Sequence, residues 1–177
     1  MLSFGFPPLI SASAETLILG TLPSRISLSR SEYYANPRNQ FWTIMGAAIG
    51  VELASTYSGR VAQLADYKVA LWDVLAAATR SGSMDADISG DAIPNNFPAL
   101  FHAYPSIRRI GFNGETAAAL YRRHVLPRLS EEHRSVEQLT LPSTSPAHAA
   151  MSLQTKIQRW SAVWCPMVRD GCTGSIG

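Results

Sequence analysis

Cysteine is scarce in this chain. Cys165 and Cys172 are the only two in 177 residues, too few for a four-thiolate iron–sulfur cluster or a thiolate-rich zinc site. So few thiols predict a reduced, cytoplasmic protein, with a disulfide across the short loop between them as the lesser alternative. Long apolar runs are missing too. No stretch approaches the roughly 20 residues that span a bilayer, and no basic segment leading into an apolar one opens the chain. The expectation is a protein that is neither membrane-bound nor exported and works in a bacterial cytosol or nucleoid. Charge of one sign is also lacking: 15 Lys and Arg against 13 Asp and Glu leave +2. Attraction to nucleic acid would have to come from local patches.

The chain contains neither G-x-x-x-x-G-K-[ST] nor G-x-G-x-x-G, which removes the usual grounds for a nucleoside triphosphate or dinucleotide cofactor. His102, His124 and His133 stand without ligand-like spacing to carboxylates or thiols, so no metal is expected. No repeat, low-complexity tract or shift in composition marks a boundary. The reading is one domain over residues 1–177, with its core at about 14–167 and a polar tail at 168–177. With 46% hydrophobic residues the chain has enough apolar surface for a substantial core.

What is present is an alternation of short apolar runs with longer segments of helical spacing. Strands are predicted at 16–19, 69–75, 107–113 and 136–141, and helices at 41–49, 60–65, 96–103, 115–129 and 152–163. Residues 79–96, rich in Ser, Gly and Asp, break both periods and read as a loop over the sheet's end. Strands alternating with helices predict an α/β fold, a mostly parallel sheet covered on both faces.

Three polar stretches stand out. Gly20-Thr21-Leu22-Pro23-Ser24 is a tight turn after a strand, suited to one phosphate oxygen or a base edge, or simply to turning the chain. In Tyr33-Tyr34-Ala35-Asn36-Pro37-Arg38-Asn39-Gln40-Phe41-Trp42, Asn39 precedes an amphipathic run. It is either the cap of that helix or a carboxamide that orients a water; lacking basicity, it would act by positioning. Tyr34 suits stacking on an extruded base or ordinary packing, and Tyr33 packing or a backbone phosphate, while Phe41 and Trp42 read as core. Asp73 ends a strand, where a carboxylate must be paired or used; it either accepts from a base N–H or holds a loop. Ser143, Ser145 and His148 in Leu141-Pro142-Ser143-Thr144-Ser145-Pro146-Ala147-His148 lack the G-x-S-x-G elbow of a hydrolase. Serines on such a stiff loop suit phosphates, and the apolar tip at 147–151 suits the gap left by a flipped nucleotide.

In this order and spacing the three stretches, with Gly82-Ser83-Met84-Asp85 and Phe112-Asn113-Gly114 between them, resemble the hypoxanthine-DNA (DNA-deoxyinosine) glycosylases of the uracil-DNA glycosylase superfamily. The resemblance runs from about residue 17 to 151. It implies a three-layer αβα sandwich with a short, mostly parallel central sheet, and excision of a deaminated base without a cofactor. The implied substrate is double-stranded DNA with such a base, single-stranded DNA being the second candidate, and a monomer is expected. The mismatch-specific branch carries a water-positioning Asn in its first motif, where Leu22 stands here; the resemblance implies that the hypoxanthine branch uses the Asn of its Pro-Arg-Asn motif instead, which is Asn39. By resemblance Tyr34 stacks on the base and the loop from Pro142 to Met151 enters and pinches the DNA; taken with the readings above, Leu22, Tyr34, Trp72, Asp73 and Asn113 are expected to surround the base, and Ser24, Arg38, Ser83, Ser143, Ser145, His148 and Met151 to meet the DNA. Asn36 stands where many relatives carry His, and His148 where Asn is frequent. A uracil or thymine-mismatch glycosylase and a non-catalytic lesion binder are the competing readings.

Overall fold

The structure is a computed structural model in which residues 2–79 and 92–164 are described. Four strands, β2 (Thr16–Gly20), β3 (Val69–Asp73), β6 (Arg109–Asn113) and β7 (Glu137–Leu141), form a parallel sheet in the order β3-β2-β6-β7. All five residues of β2 and of β3 are buried, as strands covered on both faces must be. Alternation assigns their side chains to two sides. Leu17, Leu19, Ala70, Trp72, Ile110 and Phe112 join one apolar cluster, and Ile18, Val69, Leu71 and Leu141 join the other. The first is capped by helices α4 (Phe97–Ala103) and α5 (Glu115–His124), the second by α2 (Phe41–Ile49), α3 (Tyr57–Asp66) and α7 (Leu153–Ser161). This is the expected three-layer arrangement.

The departures from the sequence reading are local. The run 69–75 is not one strand: after Val74 the chain continues as β4 (Leu75–Thr79), which leaves the parallel sheet. It pairs antiparallel with β1 (Leu2–Phe4) and β5 (Ile93–Pro94). Apart from Asp73 the run is apolar, and one carboxylate does not mark where a strand changes sheets. The N-terminal residues before 14 also belong to the packed structure, because β1 pairs with β4 and Leu9 bridges Leu71. Helix α5 ends at His124 rather than near 129, and a single 3₁₀ turn, Leu126–Arg128, follows around Pro127, whose ring cannot continue the helix. Two short helices, α1 (Arg25–Arg30) and α6 (Glu131–Arg134), are additions. The predicted loop 79–96 is strand at Thr79 and at Ile93–Pro94; its residues 80–91, Ser83 included, lie outside the described residues, as do Cys165, Cys172 and the tail.

Candidate active site

The parallel strands all run toward one edge, where β2, β3, β6 and β7 end at Gly20, Asp73, Asn113 and Leu141. A cleft of about 940 Å³ opens at that edge, the usual place for a ligand in an α/β sheet. Its walls come from the three polar stretches that the sequence singles out.

The first wall is the turn after β2. Val74 N–H donates to the Gly20 carbonyl at 2.9 Å and Leu75 N–H to that of Thr21 at 3.1 Å, which draws the turn over the start of β4. Gly20 has a packing reason. A Cβ there would lie 2.5 Å from Asp73 Oδ1 and 3.2 Å from Tyr34 Oη, so the missing side chain is what lets the carboxylate and the phenol each come close to the backbone. Leu22 is buried in this wall. Ser24 caps α1, its Oγ accepting from Ser27 N–H at 3.2 Å.

The second wall is built from turn chemistry and aromatic rings. Tyr34 sits in the left-handed region at φ 56°, and its ring stacks on Phe41 with centroids 3.7 Å apart and planes 15° from parallel. Phe41 in turn meets Trp42 and Trp160 edge-on, so one face of Tyr34 rests on a rigid aromatic block. Asn36 shapes the bend beyond: its Oδ1 accepts from Arg38 N–H at 3.0 Å and its carbonyl from Asn39 N–H at 2.8 Å. Asn39 is half-buried on the cleft wall, and its Oδ1 accepts from Phe41 N–H at 2.9 Å. The carboxamide stands one residue before the N-cap Gln40 and accepts from the first N–H of α2; that bond fixes its orientation while leaving a second lone pair on the oxygen. Tyr33, by contrast, is buried and donates to the Pro7 carbonyl at 3.3 Å, a packing residue and not a phosphate ligand. Burial first, then the negative charge of Asp73, hold its hydroxyl far above the ordinary phenol range.

The third wall is the segment after β7. Asn113 locks it, donating from Nδ2 to Thr144 Oγ1 at 2.9 Å and accepting on Oδ1 from Thr144 N–H at 2.8 Å. The serines then knit the turn: Ser143 Oγ accepts from Ser145 N–H at 3.2 Å, and Ser145 Oγ from Ala147 N–H at 3.3 Å. Gly114, at φ 102°, lies so close to Ser143 that a Cβ would come within 3.0 Å of the serine Cβ. His148 is exposed at the tip, and Met151 is half-buried.

Of the residues singled out in advance, Leu22, Ser24, Tyr34, Arg38, Asn39, Asp73, Asn113, Ser143, Ser145, His148 and Met151 all line this cleft. Trp72 does not. Adjacent strand residues point to opposite faces, so Trp72 packs against Phe97 in the cluster under α4 and α5, its Nε1 donating to the Phe6 carbonyl at 2.9 Å. Asn113 is in place, but its amide is occupied by Thr144 and holds the loop rather than facing the cleft unbonded. Sequence reasoning missed Gln40, Thr144, Lys156 and Arg159. Arg159 is exposed on the cleft's rim, and Gln40 N–H donates to the Thr144 carbonyl at 3.0 Å, tying the second wall to the third. The only advance signal for Lys156 was a Lys one turn before Trp160 on a helix, which ordinarily marks a solvated face. Among the described residues no group of three or more His, Cys, Asp or Glu is placed to hold a metal, and no helix is long and apolar enough to cross a membrane.

The model of the uracil DNA glycosylase superfamily matches residues 7–165. The chain belongs to that superfamily, whose members act on DNA. This glycosylase-family chain is 37% identical over 165 residues to a hypoxanthine DNA glycosylase of Methanosarcina acetivorans, an alignment covering 93% of this chain and 99% of that protein. A hypoxanthine DNA glycosylase of Methanosarcina barkeri is 40% identical over 112 residues, covering 63% and 70% of the two chains. A solution NMR structure from Methanosarcina acetivorans, provisionally described as a uracil DNA glycosylase, superimposes with a TM-score of 0.78 at 37% identity over 93% of this chain and 97% of that one.

Proposed function

We propose that the protein is a monofunctional DNA glycosylase that flips a deaminated base, hypoxanthine from deoxyinosine, out of the duplex and hydrolyses its N-glycosidic bond. The similarity to two hypoxanthine DNA glycosylases supports the choice of base. The observation that carries the mechanism is the Asn39 carboxamide on the cleft wall, fixed by Phe41 N–H. As the bond between sugar C1′ and the base stretches, positive charge grows on the sugar and negative charge on the base. The base leaves C1′ with the bonding pair, a water held by Asn39 Oδ1 adds there and gives up one proton, the base takes up one in its place, and an abasic site remains. The water needs direction more than activation, because the sugar carbon is already cationic.

The other lining residues fit that step. Tyr34 offers the flipped base a ring already backed by Phe41, which keeps the ordering cost of stacking low. Asp73, beside Gly20 at the floor, accepts from a base N–H. Ser24, Arg38, Ser143 and Ser145 meet the backbone, and the tip from His148 to Met151 fills the space vacated by the nucleotide. No cofactor enters the scheme; the protein acts as a cytoplasmic monomer on double-stranded DNA, and on single strands where the base is already unpaired.

The deciding experiment incubates the protein with oligonucleotides each bearing one inosine, uracil, xanthine or mismatched thymine, followed by alkaline cleavage and a denaturing gel. Strand scission at inosine above the other three is the expected result. Preference for uracil or mismatched thymine would move the assignment to another branch of the superfamily, and lesion-selective binding without free base would leave a binder in place of an enzyme.

A further inference from the structure

We infer that Lys156 is a positioning residue for excision, holding the Asn39 corner and the tip of the DNA-contacting segment in one frame; this rests on the glycosylase reading above. Helix α7 turns Lys156 and Trp160 to the same side, one turn apart, and both are buried, at 2% and 0% exposure. Trp160 Nε1 donates to the Pro142 carbonyl at 2.9 Å, and Lys156 Nζ to the His148 carbonyl at 2.9 Å. One face of one helix thus grips both ends of the segment that carries Ser143 and Ser145. The same ammonium donates to Gln40 Oε1 at 3.0 Å, and Gln40 is the residue next to Asn39 in the chain.

Both acceptors are neutral, and none of the ion pairs among the described residues involves Lys156. Burying an ammonium on carbonyl and amide oxygens alone is costly, and a Met would fill the space without that cost. What the ammonium adds is reach with several donors, a side-chain tie beside the backbone bond from Gln40 N–H to the Thr144 carbonyl, between two chain segments that no strand pairing connects. A loop displaced by DNA therefore pulls on the residue beside the water-positioning carboxamide, and an error of about 1 Å there is enough to cost on the order of 100-fold in rate.

The test uses the full-length protein with Lys156→Met and Gln40→Leu, singly and together, on the base that the wild-type protein releases. Failure of the hypoxanthine assignment is thereby read from the wild-type protein, and failure of this inference from the variants. Three quantities are measured: the single-turnover rate at saturating enzyme, the Kd for the same duplex without the lesion, and the melting midpoint by circular dichroism. Lys156→Met should slow the single-turnover rate about 10- to 100-fold while the Kd changes less than about threefold, since phosphate contacts dominate it. Gln40→Leu should slow it comparably, and the double variant should be little worse than the slower single one, as members of one network behave. A lowered melting midpoint with a single-turnover rate within twofold of wild type, measured well below every midpoint, would overturn the inference and leave Lys156 a packing residue. If Lys156→Met does not fold, Gln40→Leu decides, because it keeps the lysine and the backbone bond to Thr144 and removes only the side-chain tie.

Discussion

The two ends of the parallel sheet use charge in opposite ways. At the end where the strands begin, ionic groups neutralise one another: Glu15 bonds to both Lys68 and Arg108 at 2.7 Å, and Arg109 to Glu137 at 2.7 Å. At the end where they finish, Arg38 and Arg159 sit exposed on the cleft with no ion pair among the described residues, and Lys156 rests on neutral oxygens. Polar side chains there are tied instead to backbone: Asn39 to Phe41 N–H, Asn113 to Thr144 N–H, the serines to the turn that carries them. One end fastens the fold, and the other holds geometry and keeps positive charge available for a polyanion.

That contrast can be broken first at Asn39. Asn39→Ala should lower single-turnover excision by at least about 100-fold, with DNA affinity within about threefold of wild type, because it removes orientation of the water and no phosphate contact. A variant excising at near wild-type rate would remove the mechanism. Gly20→Ala comes next: the added methyl meets Asp73 Oδ1 at 2.5 Å, and displacing that carboxylate should cost about 10- to 100-fold in excision. Overpacking should destabilise by about 1–3 kcal/mol, read by urea denaturation.

Asn113→Ala leaves Thr144 N–H without its side-chain acceptor and loosens the loop. The expectation is a loss of about 1–2 kcal/mol and weaker DNA binding by gel shift, with base preference unchanged. The smallest effect belongs to the opposite end. Glu15→Gln should leave excision untouched and reduce stability by less than about 1 kcal/mol, the ordinary scale of exposed ion pairs. The Lys68 hydrogen bond, followed by the charges of Arg108 and Lys68, holds the Glu15 carboxyl below its usual 4.5. Its contribution is therefore present above pH 4.5 and fades as pH falls through the lowered value. Melting followed from pH 7 to 3 should show a shallower acid limb in the variant, and an identical limb would refute the assignment.

Much of the fold was legible because period-two and period-3.6 patterns report directly which face is buried. Residues 41–49 fold as the helix their spacing predicts, and the four central strands fall where apolar runs end in turns. The sheet switch at Val74 was not legible, since 69–78 is apolar apart from Asp73 and a single carboxylate does not distinguish one sheet from two. Trp72 was misplaced for a related reason: its neighbour Asp73 reaches the cleft, and strand alternation sends Trp72 the other way. Nothing in the sequence singled out Lys156, because its partners, Gln40 and His148, are 116 and 8 residues away, and no local pattern brings them together.

By itself, then, the sequence determined the αβα layering, the three polar turns and, through their order, the superfamily, since each depends on short-range periodicity or on residues within one turn. Only the tertiary structure decided which way Asp73 and Trp72 face, that Asn113 is occupied with Thr144, and that a buried ammonium joins two walls of the cleft. Those outcomes depend on contacts between distant segments, whose pairing is set by packing the whole core rather than by any window of the chain.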